Sequence, residues 1–362
     1  MLNIGILGCG VISSHYLKGS TQIFNKNIRV VACADMLIER AQARAEEYGV
    51  PKALTTEQLL ADPEVDLIVN LTVPQVHFEL SKKILEAGKH LYTEKPFALN
   101  REEAAILVET AKKHNVRIGC APDTFMNGPL QTGKKIIEDG IIGDIVGVNC
   151  CCPMRGNEFW RPDADFFYKK GAGPIWDMAP YYLNMLISLF GSIKTVTSVG
   201  RITWPQRVYE YESRKGDTID VEVPTHTVGL FEMENGAIVS FTDSFDMYKS
   251  SIPKIEIYGQ YGTLILADPN MYKGDVKLSI KKGPFEDVPH LEGYEGFMRS
   301  AGIADMAVSI EKGVPHLASA EMALHVTDVM CTWEEAMESR RTMEVKSTCA
   351  QPEGMWLRAP IR

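Results

Sequence analysis

The sequence predicts an α/β protein with a doubly wound parallel sheet at its N-terminus and a second, α+β domain built on an open, mainly antiparallel sheet. In the first third of the chain, short apolar runs alternate with helical patterns of about 10 to 15 residues, which is typical of βαβ units. In the remainder, alternating apolar and polar runs are joined by turn residues. The length of 362 residues is about twice the commonest domain size, which favours two domains.

The first domain is predicted to cover residues 1–122. Its strands are predicted at 3–7, 28–34, 66–71, 90–93 and 116–121. Helices are predicted between them at 11–24, 39–48, 76–87 and 101–114, with a further helix beginning at 56. Strands that alternate with helices in this way form a parallel sheet.

The second domain is predicted to cover residues 123–362. Its strands are predicted at 225–231, 237–245, 254–258, 262–266 and 276–280. The first two are joined through Glu234-Asn235-Gly236, and Asn-Gly is the strongest short hairpin signal. Helices are predicted before these strands, at 128–138 and 181–190, and after them, at 303–312 and 319–339.

The composition excludes several classes of protein. The 38 Lys and Arg residues against 47 Asp and Glu residues give a net charge of −9, which disfavours a nucleic-acid partner. No apolar run approaches the roughly 18 residues needed to span a bilayer. Residues 1–12 lack the basic segment of a signal peptide. We therefore expect a soluble, cytoplasmic protein with no membrane partner.

The eight cysteines do not indicate a metal site. The sequence has no C-x-x-C pair and no H-E-x-x-H pattern. Cys150, Cys151 and Cys152 are consecutive, so in a strand they point to opposite faces and cannot close one tetrahedral site. We expect no bound metal, and reduced cysteines that pack as small apolar side chains.

A glycine-rich turn stands near the start of the chain. Gly8-Cys9-Gly10-Val11-Ile12-Ser13 follows the first predicted strand and opens the first helix, as G-x-G-x-x-G does in dinucleotide-binding βαβ units. Gly10 would let the backbone approach a pyrophosphate at the helix N-terminus. Asp35 ends the second strand, where it would bind ribose hydroxyls and repel a 2′-phosphate, and Arg40 is placed to cover the adenine. NAD is favoured over NADP; a glycine turn of another α/β protein is the alternative.

A second motif, Tyr92-Thr93-Glu94-Lys95-Pro96, follows a short predicted strand. It lies at the carboxyl edge of the sheet, where open α/β sheets bind ligands. Pro96 restricts Lys95 to extended geometry. One interpretation is a lysine held beside the nicotinamide, where it could act as an acid–base group. The alternative is a surface lysine in a turn.

A third motif begins at the glycine-rich segment 171–173, which leads into a predicted helix carrying Asp177 and Tyr181 in its first turns. The spacing of four residues would place a carboxylate and a phenol on one helical face. The alternative is an ordinary carboxylate at a helix N-terminus, with the tyrosine in the core.

Together these motifs resemble the Gfo/Idh/MocA oxidoreductase family, and the similarity runs in order over nearly the whole chain. It rests on Gly8-Cys9-Gly10, Asp35, Thr72-Val73-Pro74 with His77, Ala87-Gly88-Lys89-His90, Glu94-Lys95-Pro96, Asp177 with Tyr181, and Tyr258-Gly259-x-x-Gly262-Thr263-Leu264. The resemblance implies a Rossmann domain, NAD(P)-dependent redox chemistry on sugars and polyols, and homo-oligomerisation through the C-terminal sheet. It further implies cofactor contacts for Thr72, Pro74, His77 and Glu94.

One departure from the family pattern concerns the proton-transfer residue. Many members carry D-x-G-x-H, whereas this sequence reads Asp177-Met178-Ala179-Pro180-Tyr181. Tyrosine at the histidine position is similar to the glucose-fructose oxidoreductase and dihydrodiol dehydrogenase branch, in which the tyrosine and the E-K-P lysine act together. The surrounding pattern also resembles glycoside-oxidising members that act on the C3 hydroxyl of a glucosyl group.

The leading hypothesis is hydride transfer to NAD⁺ from a secondary hydroxyl of a sugar or glycoside. Lys95 and Tyr181 would share the hydroxyl proton, and Asp177 would accept a hydrogen bond from a neighbouring hydroxyl. Weaker candidates for lining the sugar pocket are Asp123, Arg155 and Trp160. Trp160 could equally lie in a domain interface.

Three alternatives stay open at this point. The first is an inositol or polyol dehydrogenase. The second is a glycosidase or lyase that oxidises C3 only transiently and regenerates NAD⁺ within each turnover. The third is a non-catalytic NAD-binding sensor, which the presence of Lys95, Asp177 and Tyr181 disfavours.

Overall fold

The structure is a computed structural model that describes residues 1–294 and 296–362. The chain forms two compact units. The first consists of Met1–Gly128, Glu292–Thr327 and Pro352–Arg362, and the second of Pro129–Leu291 and Asp328–Gln351. The boundary expected at residue 122 falls just before the end of the first segment. The two later segments of the first unit differ from the expected division, which placed them in the second domain.

The first unit contains the predicted parallel sheet. Its strands are β1 (Leu2–Leu7), β2 (Ile28–Ala34), β3 (Lys52–Leu54), β4 (Leu67–Asn70), β5 (His90–Thr93) and β6 (Ile118–Cys120). The helices between them are α1 (Ser13–Lys18), α2 (Ile38–Tyr48), α3 (Thr56–Ala61), α4 (Pro74–Glu86) and α5 (Arg101–His114). A π-helical turn, Gly19–Ile23, continues α1. Only β3 was absent from the sequence prediction of this sheet.

The strand order is β3-β2-β1-β4-β5-β6, and every pairing is parallel. This is the doubly wound order of a Rossmann fold, so the predicted fold class is confirmed. Strand burial on both faces explains the nearly continuous apolar runs. Core side chains from successive strands are Leu7, Val31, Ile68, Leu91 and Ile118.

The second unit is built around a larger sheet. Its strands are β7 (Ile145–Pro153), β8 (Ile193–Arg201), β11 (His226–Met233), β12 (Ile238–Ser244), β13 (Ile255–Gly259), β14 (Gly262–Leu266), β15 (Lys277–Ile280), β16 (Glu286–Asp287) and β17 (Met343–Glu344). The strands β9 (Gln206–Val208) and β10 (Thr218–Asp220) form a separate two-stranded sheet. The helices of the later chain are α6 (Gly128–Glu138), α7 (Pro174–Asp177), α8 (Ala179–Phe190), α9 (Ala301–Lys312) and α10 (Ala320–Ser339).

The nine strands of this sheet follow the order β16-β15-β14-β13-β7-β12-β11-β8-β17. All neighbours are antiparallel except β7 and β12, which run parallel. The mainly antiparallel sheet is therefore confirmed. The predicted hairpin joins β11 to β12, and Gly236 takes the positive φ of 87° that its turn requires. The central strand β7, which contains the three consecutive cysteines, was not predicted.

One face of the sheet is covered by helices. Every residue of α8 is buried. The ring of Tyr182 stacks on Phe241 of β12 with centroids 4.6 Å apart, and Trp333 of α10 lies 5.3 Å from the same ring. Aromatic packing of this kind fixes the start of α8 against β12.

The described part of the chain has no helix that is both long and apolar enough to cross a bilayer. Within the same residues, no group of three or more histidine, cysteine or acidic side chains is arranged to hold a metal ion. All eight cysteines are free thiols.

Candidate active site

The glycine-rich turn between β1 and α1 leaves room for a ligand. Gly8 has a φ of 96°. A Cβ atom added at this position would clash with the backbone, because it would lie 2.8 Å from the carbonyl carbon of Leu71. At Gly10, by contrast, a Cβ would have no described atom within 4 Å. The first glycine therefore makes the turn, and the second faces open space where a pyrophosphate could approach the backbone. Val11 is exposed on this turn, and Ile12 is half-buried.

Asp35 supports the glycine-rich turn through both of its carboxylate oxygens. One carboxylate oxygen accepts a hydrogen bond from the amide of Cys9 at 2.7 Å, and the other accepts one from the amide of Leu37 at 2.9 Å. Each oxygen keeps a lone pair for a ribose hydroxyl. Arg40 is exposed on α2. The open space at Gly10 and the carboxylate at the end of β2 fit an adenine dinucleotide.

Thr72 and Pro74 lie where β4 passes into α4, next to the glycine-rich turn on β1. The Thr72 hydroxyl donates to the side-chain oxygen of Asn70 at 2.7 Å. Pro74 is in the first turn of α4, where a missing N–H costs nothing. Both residues are half-buried at the carboxyl edge of the sheet.

His77 occupies a buried position and joins two loops. Its side chain is 2% exposed. Nε2 lies 2.7 Å from the carbonyl oxygen of Thr72, and Nδ1 lies 3.1 Å from the carbonyl oxygen of Pro96. Burial lowers the pKa of His77, so the ring is neutral at pH 7 and donates to one of these carbonyls. These contacts give His77 a supporting role for the segment that contains Lys95.

Glu94 fixes the backbone of Lys95. One carboxylate oxygen accepts a hydrogen bond from the Lys95 amide at 2.9 Å, and the other accepts one from the Tyr16 hydroxyl at 2.8 Å. Arg299 adds a longer ion pair at 3.9 Å. Burial, reinforced by the Glu94 carboxylate, raises the pKa of Tyr16 well above its usual range, so the phenol stays a donor. Sequence reasoning missed Tyr16, which lies on α1 and carries no motif of its own.

Lys95 is the second residue after β5 and is half-buried, and its peptide bond to Pro96 is cis. In the sheet, β5 pairs with β4 and β4 pairs with β1. Because the strands are parallel, the segment after β5 and the glycine-rich turn after β1 lie at the same edge. The structure therefore brings Lys95 to the edge of the sheet that carries the dinucleotide motif.

Asp177 and Tyr181 do not share one continuous helix, as the spacing predicted. Asp177 is the last residue of α7, and Tyr181 lies in the first turn of α8, with Met178 between the two helices. Pro180 explains the break, because it has no N–H to donate to the carbonyl four residues earlier. Asp177 is half-buried and Tyr181 is 6% exposed. Both lie in the second unit, whereas Lys95 lies in the first.

The short helix α7 is anchored through its neighbour Trp176. The indole N–H of Trp176 donates to Oε1 of Glu334 on α10 at 2.9 Å. Burial raises the pKa of Glu334, and the indole hydrogen bond acts in the opposite direction. The hydrogen bond holds the last turn of α7, and with it the backbone of Asp177, in place.

The three weaker candidates have different surroundings. Asp123 is fully buried in the first unit, and its carboxylate accepts a hydrogen bond from the amide of Gly302 at 2.7 Å, which favours a structural role. Arg155, in the second unit, lies over the Tyr248 ring at 4.5 Å. Trp160 is 56% exposed, and the guanidinium of Arg161 lies over its ring at 5.4 Å.

Sequence reasoning also missed Asp243 on β12. Its side chain is fully buried, and neither carboxylate oxygen forms a hydrogen bond to any residue that the structure describes. The alternation of β12 contained the signal, because Val239, Phe241 and Asp243 share the covered face of the strand. An acidic residue at an apolar position of a strand marks a special site.

Comparison with known families agrees with this geometry. The profile of the oxidoreductase family with an NAD-binding Rossmann fold matches residues 2–121. The profile of the GFO/IDH/MocA C-terminal domain matches residues 130–265. The two matches together cover well over half of the chain.

Individual relatives share much less sequence. An uncharacterized oxidoreductase of Schizosaccharomyces pombe is 27% identical over 54% of this chain and 54% of its own length, so the chain spans about half of that relative. The D-glucoside 3-dehydrogenase of Escherichia coli is 25% identical over 86% of this chain and 91% of its own length.

Among solved structures, levoglucosan dehydrogenase in complex with NADH superposes with a TM-score of 0.83 at 20% identity, covering 96% of this chain and 99% of that one. At this identity the superposition shows a shared fold. The fold, the glycine-rich turn and the matching profiles lead to one conclusion: this chain belongs to the Gfo/Idh/MocA family of oxidoreductases and carries its NAD-binding Rossmann domain.

Proposed function

We propose that this protein is an NAD-dependent dehydrogenase that oxidises a secondary hydroxyl of a sugar or glycoside, at C3 of a glucosyl group, to a ketone. The observation that carries the proposal is the position of Lys95. A half-buried lysine, fixed through its own amide by Glu94, stands at the sheet edge that carries the dinucleotide-binding turn. A structural or sensing role would not require a cation held at this edge.

The choice of substrate rests on the relatives. The protein named D-glucoside 3-dehydrogenase aligns over 86% of this chain, and a structural neighbour is named levoglucosan dehydrogenase. A protein named D-xylose dehydrogenase, from Paenarthrobacter nicotinovorans, aligns over 64% of this chain at 24% identity. All three names refer to sugars, and two of them refer to glucose in a bridged or glycosidic form.

Each of the three candidate residues has a chemical task in this reaction. Lys95 and Tyr181 are the two groups proposed to exchange the proton that leaves the reacting hydroxyl. Asp177 accepts a hydrogen bond from a neighbouring hydroxyl and so orients the sugar ring. NAD⁺, when bound along Gly8 to Ile12 and Asp35, supplies the hydride acceptor.

Incubation with NAD⁺ and candidate substrates tests the proposal directly. Methyl glucosides, free sugars and inositols are each mixed with the enzyme, and NADH absorbance and sugar products are measured. Net NADH together with a 3-keto glycoside is the expected result. Release of the aglycone without net NADH would replace the proposal by transient oxidation in a glycosidase or lyase. Oxidation of inositols alone would indicate a polyol dehydrogenase.

We also propose that a second copy of the chain covers the open face of the large sheet. Residues paired across β8, β11, β12 and β13 leave apolar side chains exposed there, and these are Val199, Leu230, Ile238 and Tyr258. An exposed apolar patch of this kind marks an interaction surface. Sedimentation velocity should show a homo-oligomer, and a monomer at micromolar concentration would contradict the assignment.

The cysteines support a proposal for the cellular location. All eight thiols are free, which suits a reducing compartment. We infer that the protein works in the cytoplasm.

A further inference from the structure

The Glu94 carboxylate is held on its second oxygen by a residue that belongs to no sequence motif. The Tyr16 hydroxyl, on α1, donates to Oε1 of Glu94 at 2.8 Å, while Oε2 accepts from the Lys95 amide at 2.9 Å. Tyr16 is fully buried, and Glu94 is 7% exposed. Because hydrogen bonds weaken steeply as their geometry departs from linear, a carboxylate that turned away from Tyr16 would also lose the Lys95 amide.

Tyr16 suits this position because it keeps its proton. Burial raises the pKa of Tyr16 well above its usual range, and the Glu94 carboxylate raises it further. A hydrogen bond from a neutral donor to a carboxylate is about twice as strong as one between two neutral groups. The ring of Tyr16 is itself packed edge-on against Tyr92 of β5, with centroids 6.4 Å apart. The donor is therefore strong and held in place.

A segment from late in the chain fixes the backbone of Tyr16. The Ser300 hydroxyl donates to the carbonyl oxygen of Tyr16 at 3.0 Å, and the Ser20 hydroxyl donates to Ser300 at 3.0 Å. A Cβ at Gly19 would collide with the carbonyl oxygen of Arg299, so only glycine permits the two segments to approach this closely. Ser300 has a φ of 90°, and a side-chain residue keeps such a strained conformation only where its surroundings hold it.

The same late segment supplies Glu94 with a cation. Arg299, which precedes Ser300, has a side chain 13% exposed, and its Nη1 lies 3.9 Å from Oε1 of Glu94. This distance exceeds that of a hydrogen bond, so Tyr16 sets the direction of Oε1 while Arg299 adds charge attraction. All of these residues lie in the first unit.

We propose that Tyr16 is a positioning residue for Lys95: its hydroxyl orients the Glu94 carboxylate, and the carboxylate sets the backbone of Lys95 at the edge of the sheet. Tyr16 acts through Glu94 and is not itself a catalytic residue. The contribution to proton transfer rests on the proposed function, whereas the anchoring of the Lys95 amide does not.

The anchoring is tested by hydrogen exchange of the Lys95 amide in the full-length wild type, Tyr16→Phe, Glu94→Ala and the double variant. Mass spectrometry with electron-transfer fragmentation resolves this single amide. Tyr16→Phe keeps the ring and removes the donor, so the Lys95 amide should exchange about tenfold faster. In the Glu94→Ala background, Tyr16→Phe should cause no further acceleration, because the carboxylate through which it acts is gone.

Tyr168→Phe is the matched control. Tyr168 is fully buried in the second unit, its hydroxyl donates to Glu158, and Arg207 pairs with the same carboxylate at 2.7 Å. This variant removes a comparable hydrogen bond elsewhere, so its Lys95 amide should exchange as in the wild type.

Three results would overturn the anchoring. The first is an unchanged exchange rate of the Lys95 amide in Tyr16→Phe. The second is an equal acceleration in Tyr168→Phe, which would indicate a general loss of stability. The third is full additivity of Tyr16→Phe and Glu94→Ala, which would mean that Tyr16 does not act through Glu94.

Kinetics then separates the anchoring from the proposed reaction. With a sugar that the wild type oxidises, Tyr16→Phe should lower kcat about tenfold and leave the sugar KM within about twofold, because the sugar-binding groups are unchanged. An unchanged kcat despite faster amide exchange would overturn the positioning role in proton transfer. If the wild type oxidises no sugar while the exchange results hold, the proposed function fails and the anchoring of Lys95 stands.

Discussion

The segment that carries Lys95 and the segment that carries Asp177 and Tyr181 are held in place in different ways. Around Lys95, the Glu94 carboxylate accepts a hydrogen bond from the Lys95 amide, and Nδ1 of His77 lies 3.1 Å from the carbonyl oxygen of Pro96. Around Asp177, the supports include the burial of α8 and the indole hydrogen bond of the adjacent Trp176 to Glu334 on α10.

The difference follows from what surrounds each residue. Lys95 lies in a loop, and a loop needs polar side chains to satisfy its free backbone groups. Asp177 and Tyr181 lie on helices whose backbone is already bonded, so packing against β12 sets their position. Substitutions of reacting groups and substitutions of residues that hold them should therefore have different effects on kcat and on stability in the two segments.

The largest effect is expected for Lys95→Ala, which removes the proposed proton carrier from a loop that Glu94 and His77 still hold. We expect kcat to fall by about two to four orders of magnitude while NAD affinity changes little. Stopped-flow kinetics and fluorescence titration with NADH measure the two quantities. Lys83→Ala, at an exposed position on α4, is the matched control. Activity within a few-fold of the wild type would identify Lys95 as an ordinary turn lysine.

The next largest effect is expected for Tyr181→Phe, which keeps the ring packing of α8 and removes one hydroxyl. Activity should fall about a hundredfold while stability changes by no more than about 1 kcal/mol. Tyr182→Phe is the matched control, because Tyr182 is fully buried and its hydroxyl donates to the carbonyl of Cys151 at 3.4 Å. An active Tyr181→Phe enzyme with an unchanged pH profile would assign the proton to Lys95 alone.

A smaller effect concerns cofactor choice. The wild type should bind NAD⁺ more than about tenfold better than NADP⁺, and Asp35→Ala should lose most of that preference. The variant should also bind NAD⁺ less tightly, since the amides of Cys9 and Leu37 lose their acceptor. Isothermal titration calorimetry of the wild type and the variant with NAD⁺ and NADP⁺ measures both affinities. Asp66→Ala is a suitable comparison, because Asp66 accepts from the amide of Asn3 at the opposite edge of the sheet. Equal affinities of the wild type for both cofactors would contradict the assignment.

The smallest effect on activity is expected for His77→Gln, which loosens the segment containing Lys95 without removing a reacting group. We expect a several-fold loss of kcat with an unchanged substrate KM.

The same variant tests the pH dependence of stability. Burial lowers the pKa of His77 in the folded chain, so the contribution of His77 to stability is complete above about pH 6.5. Below that pH the contribution declines, because the unfolded chain takes up a proton on this histidine. The Tm gap between wild type and variant should therefore narrow from pH 7 to pH 5. His290→Gln, at an exposed position, is the matched control.

The sequence by itself determined the elements whose signals are local. Residues 28–34 and 101–114 match β2 and α5 because an apolar run and a helical period are properties of consecutive residues. The glycine-rich turn and Asp35 were identifiable for the same reason, since their spacing in the chain carries the motif.

Tertiary structure alone decided features that depend on residues distant in the chain. The central position of β7 comes from its pairing with β12 and β13, and the return of residues 292–327 to the first unit has no local signal. Asp123 was a candidate for lining a sugar pocket and Asp243 lay within a predicted strand, and the structure buries both completely. Burial depends on which elements pack together, and a carboxyl group keeps or loses its proton according to that packing.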